Sequence, residues 1–449
     1  MFERLFKLRE NNTNIKTEVM AGITSFITMA YILAVNPSIL SQAGMDSLAV
    51  LMATSLSAAI ACFCMALFAN YPFALAPSMG VNAVFTYNFV LGSGISWQMA
   101  LLAVFVEGII FILLSFVNVR EAIFNAIPNN LKYAISVGIG LFIAFIGFKD
   151  AGVVVANEST YISLCSFNED FFGLGMTALL SLFGIIVISL LTVKRVKGSM
   201  LIGMAVTWIA GIILELAGIY QPAVSCIPQW SGYNFAAITK TAGQCFNADF
   251  SGVSVLDFAI MVITFLFMDM FDTVGTLIGV SAKADMLDEN GRLPRIKGAL
   301  FADAVGTTVG ALLGTSTVSS YVESASGVIE GGRTGLTAVV VGVLFLVSLV
   351  FAPLFIAIPG FATASALVVV GVYMISTVTK IDFTDFSEAV PAFITIIVMP
   401  FTYSIADGIL LGVISYVVIN ALSGKANRKK ITPLMYILTI LFIAKYMFL

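Results

Sequence analysis

A small, hydroxylated stretch that ends on a carboxyl group interrupts an otherwise apolar chain: Gly314-Thr315-Ser316-Thr317-Val318-Ser319-Ser320-Tyr321-Val322-Glu323-Ser324-Ala325-Ser326-Gly327. The segments on both sides are hydrophobic enough to lie in lipid. An ionised acid at a bilayer centre costs roughly 2.5 kcal/mol or more, so Glu323 must face a polar cavity or a partner. Polar, broken backbone at membrane depth is tolerated only inside protein or beside water. The stretch therefore predicts a functional site inside a membrane protein.

The composition supports a multi-pass protein of the cell membrane. Of 449 residues, 59% are hydrophobic and only 10% are charged, whereas soluble domains carry about 25% charged residues. Apolar stretches of roughly 20 residues, the length that crosses a hydrocarbon core, recur along the chain. The net charge of −3 is small, so we expect the lipid bilayer as a partner and no nucleic acid.

Hydropathy predicts fourteen membrane segments in an all-α fold. Twelve of them are clear spans, at 19–40, 47–69, 98–118, 131–149, 172–193, 199–219, 254–281, 298–313, 335–357, 362–380, 389–422 and 431–449. Two further segments, 71–90 and 314–330, are apolar but interrupted by Pro, Gly, Ser and Thr. The count treats 389–422 as one broken element. A break at Pro400 that yields two short passes is the open alternative.

Positive charge predicts that the N-terminus is cytoplasmic, because cytoplasmic loops are rich in Lys and Arg. The basic positions are Arg4, Lys7, Arg9, Lys16, Arg120, Lys194, Arg195, Lys197, Lys283, Arg292, Arg295 and Lys297. The charged, amphipathic start of the chain is expected to lie on the membrane surface and not to be a signal peptide. The last basic cluster disagrees with a strict count of fourteen: Lys425, Arg428, Lys429 and Lys430.

The two interrupted segments occupy matching places in the two halves of the chain. In each half, two long spans precede a segment broken by Pro, Gly or Ser. Seven segments per half is an odd number, so the second half must be inserted upside down. Such an inverted repeat, with paired interrupted segments, indicates the central binding site of a transporter. Glu323 and Asn82 lie 241 positions apart, and the same offset matches Asp272 with Tyr31.

A second group of acids lies in the span 254–281. Asp269 and Asp272 are three positions apart, so on a helix they share roughly one face. Both are candidates for binding a proton, with Asp272 ranked above Asp269. Glu107, in another apolar span, is expected to be a helix-packing acid outside the site.

Several uncharged polar residues are candidates for contacts with a ligand. Asn82 offers an amide that can face a heterocycle or can simply satisfy broken backbone. Thr276 and Ser324 could donate hydrogen bonds to a ligand, although hydroxyls in membrane helices often bond to their own backbone.

The residue types and motifs that are absent from the chain limit the reactions that it could catalyse. There is no histidine, which excludes Ser-His nucleophiles and His-based metal motifs, so carboxylates must carry any proton chemistry. No Gly-x-Gly-Asp motif of an aspartyl intramembrane protease is present. We therefore expect no enzyme, no metal and no cofactor. Among the five cysteines, a bridge between Cys226 and Cys245 stays open, because an odd count gives no framework.

Four stretches resemble the signatures of the AzgA-like hypoxanthine/guanine permeases, within the nucleobase–ascorbate (xanthine/uracil permease) superfamily. They are Ala76-Pro77-Ser78-Met79-Gly80-Val81-Asn82-Ala83, Phe271-Asp272-Thr273-Val274-Gly275-Thr276, Tyr321-Val322-Glu323-Ser324-Ala325-Ser326-Gly327 and Gly331-Gly332-Arg333-Thr334-Gly335-Leu336-Thr337-Ala338. The opening Ala21-Gly22-Ile23-Thr24-Ser25-Phe26 and Asn36-Pro37 agree as well. Four motifs in the right order make chance similarity unlikely, and the resemblance covers essentially the whole chain.

The resemblance implies a fold of seven plus seven inverted segments, divided into a core domain and a gate domain. Its third and tenth segments each pair a short strand with a half-helix, and the two strands meet antiparallel. The expected boundaries are 1–118 and 251–357 for the core, and 119–250 and 358–449 for the gate. A homodimer through the gate domain is expected from the same resemblance.

The resemblance also places a purine site. Its acids fall on Asp272 and Glu323, its purine-contacting amide on Asn82, and the matching motifs add Gly80, Tyr321, Thr276 and Ser324. The expected function is import of hypoxanthine or guanine, with adenine as a third candidate, by proton symport and an elevator-like or rocking movement. Sodium coupling is the alternative, and an inorganic-anion transporter of related fold is a weaker one. Ser78 departs from the family, which usually has Gly there.

Overall fold

The computed structural model describes residues 2–116, 128–228, 234–283, 286, 293–428, 431–433, 435–437, 439–440 and 443. Arg120, Arg292, Lys429 and Lys430 lie outside the described residues, as do the boundary expected at 118/119 and most of the span expected at 431–449.

Helices dominate the described residues. In chain order they are α1 (Phe2–Phe6), α2 (Ile15–Met29), α3 (Ile32–Gln42), α4 (Ser47–Cys64), α5 (Met79–Ala83), α6 (Trp97–Phe116), α7 (Asn129–Asp150), α8 (Met176–Val193), α9 (Ser199–Leu216), α10 (Val255–Lys283), α11 (Ile296–Leu313), α12 (Ser324–Ile329), α13 (Gly335–Ser348), α14 (Ala352–Ile356), α15 (Gly360–Ile375), α16 (Phe386–Phe401), α17 (Ile405–Leu422) and α18 (Lys425–Arg428). Short π-helical and 3₁₀ segments extend or join them: Met65–Ala69, Val84–Gly92, Phe171–Gly175, Phe235–Lys240, Gln244–Asn247, Leu349–Phe351 and Ser376–Lys380.

Four short strands form two antiparallel pairs within the described ranges. β2 (Val154–Asn157) and β3 (Tyr161–Leu164) make a hairpin with an exposed tip. β1 (Leu75–Pro77) pairs with β4 (Val318–Ser320), far apart in sequence, with Ala76 opposite Ser319. The short antiparallel strands expected in the two interrupted segments are therefore confirmed.

Nine helical stretches of the described chain are long and apolar enough to cross a membrane: Ile15–Gln42, Ser47–Ala69, Trp97–Ser115, Asn129–Asp150, Phe171–Val193, Ser199–Leu216, Ile296–Leu313, Gly335–Ile356 and Gly360–Lys380. α10 has 29 residues, or about 43 Å at 1.5 Å per residue, although it carries several acids. The helical membrane fold expected from hydropathy is confirmed, whereas the count of fourteen stays a prediction.

The chain divides into two compact units. The first contains residues 1–116 and 147–369. Within it, α4 packs against α11 and α13, α6 packs against α10 and α11, and α2 packs against α12 and α13. The pair β1–β4 and both half-helices that follow it, α5 and α12, belong to this unit.

The second unit contains residues 117–146 and 370–449. Within it α16 and α17 pack against each other, separated by residues 402–404. The segment 389–422 is thus two helices and not one element, which is the alternative left open by Pro400 in the last turn of α16. The core and gate boundaries expected from the resemblance stay a prediction.

Each of the five cysteines carries a free thiol. Cys226 and Cys245 are buried separately, so the bridge that the sequence left open does not form.

Candidate functional site

The candidate site is the place where β1 and β4 cross, together with the first turns of α5 and α12; we call it the strand crossing. Backbone bonds extend the pairing beyond the strands. The N–H of Ser78 donates to the carbonyl of Thr317 at 2.9 Å, and the N–H of Tyr321 donates to the carbonyl of Ala74 at 2.9 Å. Both strands thus run directly into half-helices, whose first N–H groups have no partner inside the helix.

Asp272 of α10 accepts hydrogen bonds from both sides of the strand crossing. Its Oδ2 accepts from Ser78 Oγ at 2.7 Å and from Ser319 Oγ at 2.8 Å. Ser78 and Ser319 are 241 positions apart, which is the offset that relates the two halves of the sequence. One carboxyl oxygen therefore contacts equivalent hydroxyls of both repeats.

Glu323 lies at the N-cap position of the half-helix α12. Its Oε1 accepts a hydrogen bond from Tyr31 Oη at 2.7 Å. Tyr31 is fully buried and lies between α2 and α3, where the first long span is interrupted. The carboxyl group is therefore bonded across 292 positions of the chain to the break in the first span.

Tyr321 and Ser324 bind the two interrupted segments to each other. Tyr321 Oη donates to the carbonyl of Pro77 at 2.5 Å. Ser324 Oγ accepts from the N–H of Ala74 at 2.9 Å. Both side chains are therefore bonded to backbone groups of β1 or of the residue before it, and their predicted contact with a substrate stays a prediction.

Gly80 and Thr276 lie close by in sequence to residues of the crossing. Gly80 is buried in the first turn of α5, two positions after Ser78. Thr276 is 8% exposed and follows Asp272 by one turn of α10.

Asn82 lies in a fully buried polar network next to the crossing. Its Nδ2 donates to Asn36 Oδ1 at 2.5 Å, and its Oδ1 accepts from Ser316 Oγ. Asn36 Nδ2 in turn donates to Thr54 Oγ1 at 2.6 Å and to Thr315 Oγ1 at 2.9 Å. Both polar atoms of the Asn82 amide therefore contact protein.

Asp269 contacts a different set of groups from Asp272. Thr273 Oγ1 lies 3.3 Å from Asp269 Oδ1 and donates to Asp303 Oδ1 of α11 at 2.6 Å. All three side chains are fully buried. Asp269 and Asp303 of α11 thus lie beside the same Thr273 hydroxyl, whereas Asp272 accepts hydrogen bonds from the strand crossing.

Three residues that are bonded to the predicted acids or to their neighbours are not part of the site that the sequence predicts: Ser78, Tyr31 and Asp303. In the sequence Ser78 is only a departure from the family, although a hydroxyl inside the broken segment 71–90 is a usable signal. In the sequence, Tyr31 is only the position that the offset of 241 residues matches with Asp272. Asp303 carried the clearest signal, because an acid inside the apolar span 298–313 is rare enough to demand a polar partner.

The fold is that of solved membrane transporters. The transmembrane domain of the cyanobacterial bicarbonate transporter BicA matches 89% of this chain and 97% of its own, with a TM-score of 0.64 at 14% identity. The murine anion transporter Slc26a9, in its inward-facing state, matches with a TM-score of 0.60 at 8% identity, over 91% of this chain and 69% of its own. At these identities the likeness concerns the fold alone.

Sequence comparison defines the family. The family model Xan_ur_permease, described as "Permease family", matches residues 16–411, and the chain belongs to that family. A putative permease of Methanocaldococcus jannaschii is 47% identical over 100% of this chain and 98% of its own. An adenine permease of Escherichia coli K12, AdeP, is 42% identical over 100% of this chain and 96% of its own. A guanine/hypoxanthine permease of Bacillus subtilis, PbuG, is 42% identical over 99% of each chain.

Proposed function

We propose that this permease imports purine nucleobases across the cytoplasmic membrane by proton symport, with alternating access to the strand crossing. The observation that carries the proposal is the arrangement of two partly buried carboxyl groups there. Asp272 is bonded to both interrupted segments, and Glu323 is bonded to the break in the first span.

Purine bases suit such a site by their chemistry. They are planar, uncharged and rich in N–H donors along their edges, and a carboxylate only accepts hydrogen bonds. Glu323 is proposed to bind the N–H groups of the base. The half-helix N-termini beside it offer backbone N–H groups to ring nitrogens and carbonyls.

The substrate class is supported by the names of close relatives. The E. coli relative is an adenine permease and the B. subtilis relative is a guanine/hypoxanthine permease, each 42% identical over nearly the full chain. Adenine carries an amino group where hypoxanthine carries a carbonyl, so purine is the common class. Hypoxanthine, guanine and adenine are the substrates to be compared.

Proton coupling is proposed because the chain has no histidine and its central acids are carboxyls. Ionised acids at membrane depth are costly, so a proton on one of them stabilises the loaded site. Asp272 is the proposed proton carrier, with Asp269 as the second candidate. Loss of the proton towards the cytoplasm would weaken the hydrogen-bond pattern that holds the base.

The direct test is uptake of labelled hypoxanthine, guanine and adenine by cells that lack their own purine permeases. We expect uptake that a protonophore abolishes and that replacement of sodium leaves unchanged. Asp272→Asn and Glu323→Gln should each reduce the initial rate at least tenfold at equal membrane abundance. The matched control is Glu158→Gln, which changes an exposed carboxyl at the tip of the β2–β3 hairpin.

Each competing function has its own outcome. Uptake that depends on sodium and ignores the protonophore would replace proton coupling with sodium coupling. Purine-independent anion flux into liposomes that contain the pure protein would favour an anion transporter. Undiminished uptake in both carboxyl variants would refute the site.

Three structural expectations belong to the same proposal. The N-terminus is placed in the cytoplasm, the core is placed at 1–118 with 251–357, and the gate at 119–250 with 358–449. A homodimer through the gate domain is the proposed assembly, and cross-linking in native membranes tests it.

A further inference from the structure

Three consecutive hydroxyl side chains lead into β4, and each is bonded to a different helix. We call Thr315, Ser316 and Thr317 the hydroxyl triplet; all three are fully buried. Thr315 Oγ1 accepts from Asn36 Nδ2 of α3 at 2.9 Å, and Ser316 Oγ donates to Asn82 Oδ1 of α5. Thr317 Oγ1 donates to Glu107 Oε2 of α6 at 2.9 Å.

The same segment is bonded through its backbone to the proposed binding groups. The carbonyl of Thr317 accepts from the N–H of Ser78. Ser78 and Ser319 are the two residues that donate to Asp272. A displacement of the triplet therefore moves both donors of Asp272 together.

Asn36 is the centre of this arrangement. It is fully buried, its Oδ1 accepts from Asn82, and its Nδ2 donates to Thr54 as well as to Thr315. Thr54 Oγ1 is itself bonded to the carbonyl of Val50 at 2.7 Å, so the α4 side of the network is fixed. Leaving a buried amide without partners is costly, which makes the position of Asn36 well determined.

We propose that Asn36 and Glu107 are positioning residues, which hold the hydroxyl triplet and thereby the spacing of α5 and β4 at the crossing. Asn36 acts through its hydrogen bonds to Asn82 and Thr315. Glu107 acts as a hydrogen-bond acceptor for Thr317. The inference has two tests. The transport arm, which measures purine uptake, rests on the proposed function, whereas the stability arm, which measures melting temperatures, rests on the network alone.

The transport arm compares purine uptake and its competition profile among variants of equal membrane abundance. Asn36→Ala and Thr315→Val should each lower the maximal rate at least tenfold and leave the order of competing purines unchanged. Ser55→Ala is the matched control, since Ser55 is a buried hydroxyl beside Thr54 that faces Ser348. A changed competition order in Asn36→Ala would show that Asn36 contacts the base, and an unchanged maximal rate would show that the network does not act on transport. Either result would overturn the positioning role.

Glu107 is tested by a pair of substitutions. Glu107→Gln keeps an acceptor oxygen for Thr317 and should retain at least half of the uptake rate, whereas Glu107→Leu should lose at least nine-tenths of it. Equal loss in both variants would show that the acid itself is required and would overturn the acceptor role.

The stability arm needs no substrate, so it distinguishes failure of this inference from failure of the proposed function. Melting temperatures of the purified protein are measured for Asn36→Ala, Thr315→Val and the double variant. If Asn36 and Thr315 share one hydrogen bond, the melting temperature of the double variant should fall by clearly less than the sum of the decreases in the two single variants. Additive losses would overturn the network, whatever the protein transports.

Discussion

Ser78 shows how much a single hydroxyl can add at the strand crossing. It occupies the N-cap position of α5, and its side chain donates to Asp272. The family resemblance places Gly there, and Gly offers no hydroxyl. The equivalent hydroxyl of the other repeat, Ser319, donates to the same oxygen. This chain therefore surrounds one carboxyl oxygen with two donors.

Substitution of Ser78 by Gly should weaken the site without destroying it. Ser319 remains as a donor, and a hydrogen bond to a charged group contributes roughly 1.5–3 kcal/mol. We expect KM for the preferred purine to rise about tenfold in Ser78→Gly, and further in the double variant with Ser319→Ala. Kinetics of uptake measure this; unchanged KM in the double variant would contradict the role of Asp272.

Tyr31 gives a second prediction for a single side chain. Tyr31→Phe keeps the buried ring and removes only the hydroxyl that donates to Glu323 at 2.7 Å. Because a hydrogen bond to a charged group contributes roughly 1.5–3 kcal/mol, the affinity for the base should fall by roughly tenfold to a hundredfold. Purine-induced change in melting temperature measures affinity directly, and Tyr416→Phe, in the second unit, is the control. Wild-type affinity in Tyr31→Phe would exclude Tyr31 from the site.

The helix α2 packs against the half-helix α12. At one end Tyr31 bonds Glu323, and at the other the buried Glu18 accepts from the N–H groups of Arg333 and Thr337 at 2.8 and 3.2 Å. Between them Gly327 approaches α2 so closely that an added Cβ would lie 2.6 Å from the carbonyl oxygen of Ala21. These contacts pack α2 closely against α12 and against the residues that follow it.

Gly327→Ala should separate these two helices. Forced overpacking typically costs about 1–3 kcal/mol, and the displacement would carry Glu323 away from Tyr31. We expect at least a tenfold loss of purine uptake with a lowered melting temperature. Gly360→Ala is the matched control, because an added Cβ at Gly360 meets nothing within 4 Å. Normal uptake by Gly327→Ala would show that the close approach is dispensable.

At the scale of the whole molecule, hydropathy and broken segments predicted the helical membrane fold and the paired strands. The hydropathy pattern was sufficient to predict the fold because a segment that crosses lipid must be apolar, and because interrupted backbone at membrane depth must find hydrogen-bond partners within the protein. The pattern does not identify hydrogen-bond partners. Nothing local in the sequence shows that Asn82 bonds Asn36 and Ser316 or that Thr273 bonds Asp303. Such pairings depend on helix rotation, which a hydropathy profile does not contain.

Topology provides a prediction for the whole chain. A membrane-impermeant maleimide applied to intact cells should label Glu158→Cys, in the hairpin expected outside, and not Lys7→Cys, near the N-terminus. Both should react after permeabilisation. Native Cys165, Cys226 and Cys245 are at most 4% exposed, so their background should be low. Labelling of Lys7→Cys in intact cells would reverse the proposed orientation.

The strand crossing also imposes a delay during biosynthesis, because its two strands are synthesised at different times. Ala74 bonds Ser324, 250 positions later in the chain. At about 5–20 residues per second, ribosomes need roughly 10–50 s to supply that partner. During this interval the edge of β1 has unpaired backbone groups, which lipid cannot satisfy. The first half of a nascent chain must therefore wait in a protected place, beside the insertion machinery or within its own helices, until the second half arrives.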